Sequence, residues 1–167
     1  MIARPSAARA AATVILAAAT LLGTAGCTFL TPTATLNQYD PSDGVGTTVG
    51  SVRVSNAIAL SNDEGDAVSL LVTFHNSGER TANVNLQFEQ DGETTTITKP
   101  VRAGASASYG NTVDEDQIII TQPGVKPGQL FPVYLQYGDN EGTELLVPVL
   151  SGERDHYAPL MPPSSED

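Results

Sequence analysis

Apolar and polar residues alternate with a period of two through most of the chain between residues 52 and 150. In residues 68–75 (VSLLVTFH) every even position is apolar, and residues 52–60 (VRVSNAIAL) and 83–89 (NVNLQFE) follow nearly the same rule. A period of two with one polar face predicts half-buried antiparallel strands. Helical spacings of three and four residues do not recur after the first 27 residues, so the pattern favours an all-β fold.

About seven short strands of this kind, separated by turn residues every 8–12 positions, are typical of an immunoglobulin-like antiparallel β-sandwich. We assign this domain to residues 48–152, because about 105 residues suffice for one compact domain but not for two. One of its turns, Asp91-Gly92, predicts a type I′ hairpin, in which both central residues need positive φ. The chain has no Trp and a single Cys, so the Cys-Trp-Cys core of antibody domains is excluded.

The last predicted hairpin has a loop that suggests its register. If Gly138–Gly142 (GDNEG) is a five-residue loop, Tyr137 lies opposite Thr143 and Pro132 lies opposite Pro148. Since proline has no N–H to donate, we expect this pair to occupy a non-hydrogen-bonded position near an edge or a break in pairing.

The first 27 residues have the layout of an export signal. Two arginines (Arg4 and Arg9) precede the apolar stretch 10–22 (AAATVILAAATLL), and small residues at 23–26 lead to Cys27, the only cysteine. This order predicts a signal peptide over residues 1–26. We expect cleavage between Gly26 and Cys27, with a diacylglyceryl group on the Cys27 sulfur.

Two other interpretations of this segment are possible. An ordinary secretory signal would leave Cys27 as a free extracellular thiol, an unusual leftover in an exported protein. An uncleaved membrane anchor needs about 20 apolar residues, whereas this run stops at Gly23. The lipoprotein interpretation is favoured because it gives the thiol a chemical role. Two acyl chains are enough for stable anchoring.

The composition of the mature chain indicates a tether before the domain and a tail after it. Residues 27–47 are rich in Thr, Pro, Gly and Asp and predict a lipidated cysteine followed by a flexible tether, and residues 153–167 predict a disordered tail. Without residues 1–26, six basic residues stand against 19 acidic ones, a net charge of −13. Nucleic-acid partners require basic patches, so this balance argues against them.

Three segments together resemble a known family. The 39–60 segment (YDPSDGVGTTVGSVRVSNAIAL), the 70–88 pair (LLVTFHNSGERTANVNLQF) and the 132–149 hairpin (PVYLQYGDNEGTELLVPV), behind the lipobox-like 24–27 (TAGC), resemble the LpqE-like group of small actinobacterial cell-envelope lipoproteins. The resemblance implies a lipid-anchored (palmitate-bearing) protein of immunoglobulin-like fold, on the outer face of the cell membrane, without a defined activity. The alanine-rich leader fits such a source.

The same group is similar to periplasmic copper chaperones of cupredoxin-like fold, which carry a His/Met ligand set. After cleavage this chain has only His75, His156 and Met161, without the spacing of that set. His75 follows a predicted strand and His156 lies in the predicted tail, so both are expected to be solvated. We therefore predict no metal ligand and no cofactor.

Three acidic clusters in predicted loops are the remaining candidates for a cation. They comprise residues 63–66, 114–116 and 139–141. Calcium prefers such loop oxygens, but none of the clusters has the D-x-[DN]-x-[DN]-G spacing, so solvated loop charge is the favoured interpretation. Catalytic motifs such as G-x-S-x-G, H-E-x-x-H and the P-loop are missing from the sequence.

The sequence therefore predicts a non-enzymatic, lipid-anchored domain that binds or scaffolds another envelope protein. Its alternative function, from a different class, is a small-ligand or metal carrier of the copper-chaperone kind. Strand edges and end loops are the surfaces on which a sandwich of this kind binds a partner.

Overall fold

The computed structural model describes residues 9–18 and 42–163. The chain divides into two compact units, Met1–Tyr39 and Asp40–Asp167. In the first unit, residues 9–18 form an α-helix. None of the helices in the described ranges is long and apolar enough to cross a membrane. The signal-peptide cleavage site and the lipidation site lie outside the described residues.

Within residues 42–163, the second unit contains nine strands and one short 3₁₀-helix at Ala158–Leu160. The strands are β1 (Val45–Val49), β2 (Val52–Ser61), β3 (Ala67–Asn76), β4 (Ala82–Gln90), β5 (Glu93–Val101), β6 (Ser106–Tyr109), β7 (Ile118–Thr121), β8 (Leu130–Gln136) and β9 (Thr143–Leu150).

The strands form two layers joined along one edge. One layer is built on β2 and β3, with β1 beside β2 and both β6 and β7 beside β3; the other has the order β5-β4-β8-β9. A short parallel pairing of Ala59 and Leu60 with Val149 and Leu150 links the layers. The predicted all-β sandwich is confirmed, with nine strands instead of about seven and one parallel pair in an otherwise antiparallel arrangement.

The core lies between the two layers, and most of its residues are those that the period-two pattern placed on the inward face. β2 is the exception: a β-bulge between Ser55 and Ile58 reverses its faces, so Ala57 and Ala59 face this core while Ile58 and Leu60 face outward. Each layer contributes one aromatic contact to it: the ring centroids of Phe88 and Phe131 are 6.0 Å apart, and Phe74 meets Tyr109 edge-on at 6.0 Å. Burial of each such side chain contributes about 2 kcal/mol. The largest fully buried side chains of this core are Phe74, Phe131, Leu70, Leu86, Ile118, Ile120, Leu135, Val52 and Val54.

The β4–β5 hairpin has the predicted turn. Asp91 and Gly92 have φ angles of 53° and 77°, and Gln90 pairs with Glu93 across the turn. Both central residues therefore adopt the positive φ that a type I′ turn requires.

The predicted register of the β8–β9 hairpin is wrong by two residues. Thr143 pairs with Leu135 instead of Tyr137, and Pro132 pairs with Leu146 instead of Pro148. Tyr137 leaves the strand because its carbonyl accepts two bonds from Asn140, from the backbone N–H at 3.2 Å and from the side-chain amide at 3.1 Å. The loop between β8 and β9 is consequently longer than the five residues from Gly138 to Gly142.

Both prolines nevertheless occupy positions of the predicted type. The Val149 N–H donates to Gln129 O at 2.9 Å, so it points toward β8. In an antiparallel ladder neighbouring N–H groups alternate in direction. Pro148, and Leu146 two residues before it, therefore direct their nitrogens away from β8. Pro132, the partner of Leu146, likewise directs its nitrogen away from β9 and toward β4.

The C-terminal segment packs on the outer face of β2 and β3. Tyr157 and Leu160 are buried there in a second apolar cluster with Ile58, Leu60 and Leu71. The segment also binds the start of the domain, because Arg154 Nη1 and Tyr157 Oη lie 2.8 and 3.1 Å from Asp43 Oδ2. The sequence had assigned residues 153–167 to a disordered tail and 27–47 to a tether; the structure includes 42–47 and 153–163 in the domain.

Ser69 provides a test of how this outer cluster is packed. Its side chain is buried on β3, and its hydroxyl has no hydrogen-bond partner among the described residues. Because a buried hydroxyl without a partner is costly, Ser69→Ala should raise the free energy of unfolding by about 1 kcal/mol. Urea denaturation measures this change.

Ser61 is the matched control for Ser69. It is equally buried, but its hydroxyl lies 3.0 Å from both Ala67 O and Val125 O. Ser61→Ala should therefore lower the free energy of unfolding by about 1 kcal/mol. Destabilisation by both substitutions would contradict the placement of Ser69.

The contact between Tyr157 and Asp43 predicts a pH dependence of stability. Burial, and then the hydrogen bond to Asp43, raise the pKa of Tyr157 above 10.0. The raised pKa means that the folded chain holds the phenol proton more tightly than the unfolded chain does. The neutral phenol of Tyr157 therefore contributes its full stabilisation below pH 10.0, and this stabilisation is lost as pH rises through the folded-state pKa. The free energy of unfolding should fall above about pH 10, and Tyr157→Phe should reduce that fall. An equal alkaline loss in both chains would contradict this role.

Candidate functional site

The residues named by the sequence as possible ligands do not converge. His75 is exposed on β3, where its Nδ1 lies 3.0 Å from Ser106 Oγ. His156 stacks on Tyr157 with ring centroids 4.0 Å apart, and Met161 packs against the outer cluster. Among residues 9–18 and 42–163, no group of three or more His, Cys, Asp or Glu side chains is placed to hold a metal ion.

The acidic loop residues have local hydrogen-bonding roles. Asp66 Oδ1 accepts a bond from Asn62 Nδ2 at 2.6 Å, and Glu115 Oε2 accepts one from the Asn111 N–H at 3.0 Å. These bonds hold the loops that follow β2 and β6. The calcium hypothesis gains no support from the described residues.

A polar cleft of about 780 Å³ lies at one end of the sandwich. Its centre is a hydrogen-bonded chain between segments that are far apart in sequence. Ser51 Oγ donates to Asn76 Oδ1 at 3.0 Å, so the 2.7 Å contact between Tyr137 and Ser51 has the phenol as donor. The Ser51 N–H in turn donates to the phenol oxygen at 2.9 Å. Tyr137 thereby binds the β8–β9 loop to the turn between β1 and β2.

Asn76 completes this chain as a fully buried amide. Its Nδ2 donates to Arg80 O at 2.7 Å and to Val101 O at 3.1 Å, and its Oδ1 also accepts the Gly78 N–H at 2.9 Å. All of its hydrogen-bonding capacity is used to join the ends of β3 and β5. This saturation indicates a structural role.

The Ser51 contact also changes the acidity of Tyr137. Hydrogen bonding with the Ser51 side chain, and then with its backbone N–H, holds the pKa of Tyr137 below 10.0, because both Ser51 groups can donate to the phenolate once its proton has left. The cleft contains the cation Arg80 but also Glu79 and Asp139. With two carboxylates and one guanidinium the lining has a net charge of −1, and because both signs are present the cleft has no strong preference for an anionic or a cationic ligand.

A second concave site, the β4–β8 groove, lies on the other layer. β4 and β8 pair only where Asn85–Gln87 face Tyr134–Gln136. Two positions further on, this register would place Glu89 opposite Pro132, whose nitrogen points toward β4 without a proton to donate. The two strands therefore separate and leave a groove of about 430 Å³. It is lined by Gln87, Phe88, Glu89, Thr94, Pro123, Val125, Phe131, Pro132, Tyr134 and Glu144.

Tyr134 is a fixed aromatic surface at this groove. Its side chain is 40% exposed, and its ring lies against the backbone of Gly142. A Cβ atom at Gly142 would stand 2.5 Å from Tyr134 Cζ, so only glycine lets the ring lie there. The ring is held in place before any ligand binds.

Charge and exposed apolar groups distinguish the β4–β8 groove from the polar cleft. Its lining includes two exposed carboxylates, Glu89 and Glu144, and no Lys or Arg. Leu130 and Leu146, which are 55% and 47% exposed, lie beside it on β8 and β9. The groove combines negative charge, an aromatic ring and apolar walls.

Sequence reasoning missed the residues of both concave sites. Tyr137 and Ser51 are 86 residues apart in sequence, so no local sequence pattern predicts their contact. The position of the Tyr134 ring depends on Gly142 and on the register of β8 and β9, which the loop sequence did not predict. Leu130 and Leu146, exposed beside the groove, were not singled out from the sequence.

No protein-family model and no curated protein sequence matches this chain. Solved structures with a similar fold include PCuAC domains. The apo PCuAC domain from PmoF1 matches with a TM-score of 0.52 and 11% identity, over 64% of this chain and 98% of that chain. The copper-bound PCuAC domain from PmoF2 matches with a TM-score of 0.49 and 13% identity, over 64% of this chain and 97% of that one.

The match to the PmoF1 domain shows a shared fold. At 11% identity it carries no ligand residues over to this chain. It agrees with the sandwich that the strand pattern predicted.

Proposed function

We propose that this chain is a non-catalytic binding domain, held on the outer face of the cell membrane by a lipid on Cys27, that binds another protein of the cell envelope. The observation that carries the proposal is the β4–β8 groove. It is open and preformed, its aromatic ring is partly exposed, and its lining has no histidine, cysteine or serine that could act as a nucleophile or metal ligand.

The anchor is supported by the sequence around Cys27. A positive start, an apolar stretch and small residues before the cysteine are the features that signal processing requires. The net charge of −13 opposes attraction to anionic lipids. The covalent lipid is then what holds the domain at the membrane, while its surfaces stay available to a partner.

Copper carriage is the second candidate function, and the fold comparison favours it over protein binding. The PmoF1 neighbour is a PCuAC domain, and a copper carrier would use the same sandwich. The described side chains favour protein binding instead, because His75 lies apart from the C-terminal segment that holds His156 and Met161. Of these three residues, His75 is the one that lies on a strand, and its side chain is exposed.

Cell fractionation and crosslinking test the leading proposal. The native chain should be found in the membrane fraction with a lipid mass on an N-terminal Cys27, and crosslinking in intact cells should recover a protein partner. Cys27→Ser should release the chain from the membrane because it removes the acylated sulfur, whereas Thr28→Ser should leave it bound. An unmodified thiol at Cys27, or another first residue, would contradict the anchor, and failure to recover any partner would contradict the binding function.

Calorimetric titration with Cu(I) tests the copper function. If the chain carries copper, the native protein should bind about one ion and His75→Ala should weaken binding about tenfold or more, since each lost ligand removes a direct bond to the metal. His156→Ala is the matched control. The absence of a binding signal in the native chain would remove this function.

A further inference from the structure

We propose that the β4–β8 groove binds a positively charged, extended segment of the partner, with a Lys or Arg side chain lying over Tyr134 between Glu89 and Glu144. The inference rests on the proposed protein-binding function and deepens it by naming the surface and the chemistry of the partner. It depends on the charge of the groove, its aromatic ring and its shape.

The charges of the groove favour a cation. Glu89 and Glu144 are both exposed, on opposite walls formed by β4 and β9, and no cationic side chain lines the groove to neutralise them. The mature chain carries −13 overall, which adds a long-range attraction for a basic partner. Complementary charge of this kind accelerates association and excludes partners of like charge.

The aromatic ring supplies the second element of recognition. Lys and Arg bind over the face of tyrosine within about 6 Å of the ring centroid. The Tyr134 ring already lies against the Gly142 backbone in the unliganded chain and leaves 40% of the side chain exposed to a cation. The same protein contains one such contact internally, with Lys99 Nζ 4.5 Å from the centre of the Tyr109 ring.

The shape of the groove suits an extended segment. β4 and β8 separate at Pro132, and the walls present Pro123, Val125 and Phe131. These apolar groups can contact the aliphatic stem of a Lys or Arg side chain while its charged end reaches a carboxylate. Leu130 and Leu146 extend the apolar surface beyond the groove.

Fluorescence anisotropy with a labelled oligo-lysine peptide and the purified full chain tests the inference. The native chain should bind the peptide, and added salt should weaken binding because salt screens the carboxylates. Glu89→Gln combined with Glu144→Gln should weaken binding by about tenfold, the effect of losing about 1.4 kcal/mol of interaction. Tyr134→Ala should also weaken it, whereas Tyr134→Phe, which keeps the ring, should bind like the native chain.

The matched control removes the same number of charges elsewhere. Glu64 and Glu153 are exposed and lie outside the groove, so Glu64→Gln with Glu153→Gln should change binding by less than about twofold. Equal effects of the two double variants would show general charge attraction and overturn the inference. Binding of a neutral chito-oligosaccharide at Tyr134 without binding of the peptide would overturn it in favour of a carbohydrate site.

Crosslinking in intact cells separates this inference from the proposed function. If the Glu89→Gln, Glu144→Gln chain recovers the same partner as the native chain in equal yield, the groove is not the binding surface, although the binding function stands. Loss of that partner in the groove variant and its retention in the Glu64→Gln, Glu153→Gln control would support both. Recovery of no partner by the native chain would contradict the proposed function, whatever the peptide does.

Discussion

The hydrogen bonds between Tyr137 and Ser51 are the contact on which the rest of this structure depends. They bring the β8–β9 loop onto the turn between β1 and β2, with the phenol 2.7 Å from Ser51 Oγ. Because Tyr137 is drawn out of β8, the hairpin closes two residues earlier than the loop sequence suggests. That register pairs Tyr134 with Glu144 and brings the Tyr134 ring over Gly142. The groove is thus built by a contact at the opposite end of its strands.

The strands themselves could be predicted from sequence, because burial of one face imposes a period of two on each strand. The Asp91-Gly92 turn could be predicted as well, since its geometry depends on two adjacent residues. The register of β8 and β9 could not, because Tyr137 is held out of β8 both by Asn140 in the loop and by Ser51, which is 86 residues away in sequence. The C-terminal segment was also missed: residues 153–163 begin with four polar residues, and only Tyr157, Leu160 and Pro162 are buried, too few for a periodic signal.

The domain shares its fold with the PCuAC domain from PmoF1 but brings no metal-ligand set together among the residues described. Its most distinctive surface is instead the acidic, aromatic groove between β4 and β8. A lipid on Cys27 would hold this groove at the membrane surface, where the negative charge of the domain keeps its body away from anionic lipid and attracts basic partners. In the proposed function, anchor, charge and groove would act together in the capture of a protein beside the membrane.

The most direct test of this account is the register of the β8–β9 hairpin in solution, measured by nuclear Overhauser effects between α-protons. Residues in a non-hydrogen-bonded antiparallel pair have Cα atoms about 4.5 Å apart, close enough for strong α-proton contacts. The account predicts such contacts between Pro132 and Leu146 and between Leu130 and Pro148. A contact between Pro132 and Pro148 would contradict it, because Tyr134 would then no longer face Glu144 and the groove would not form.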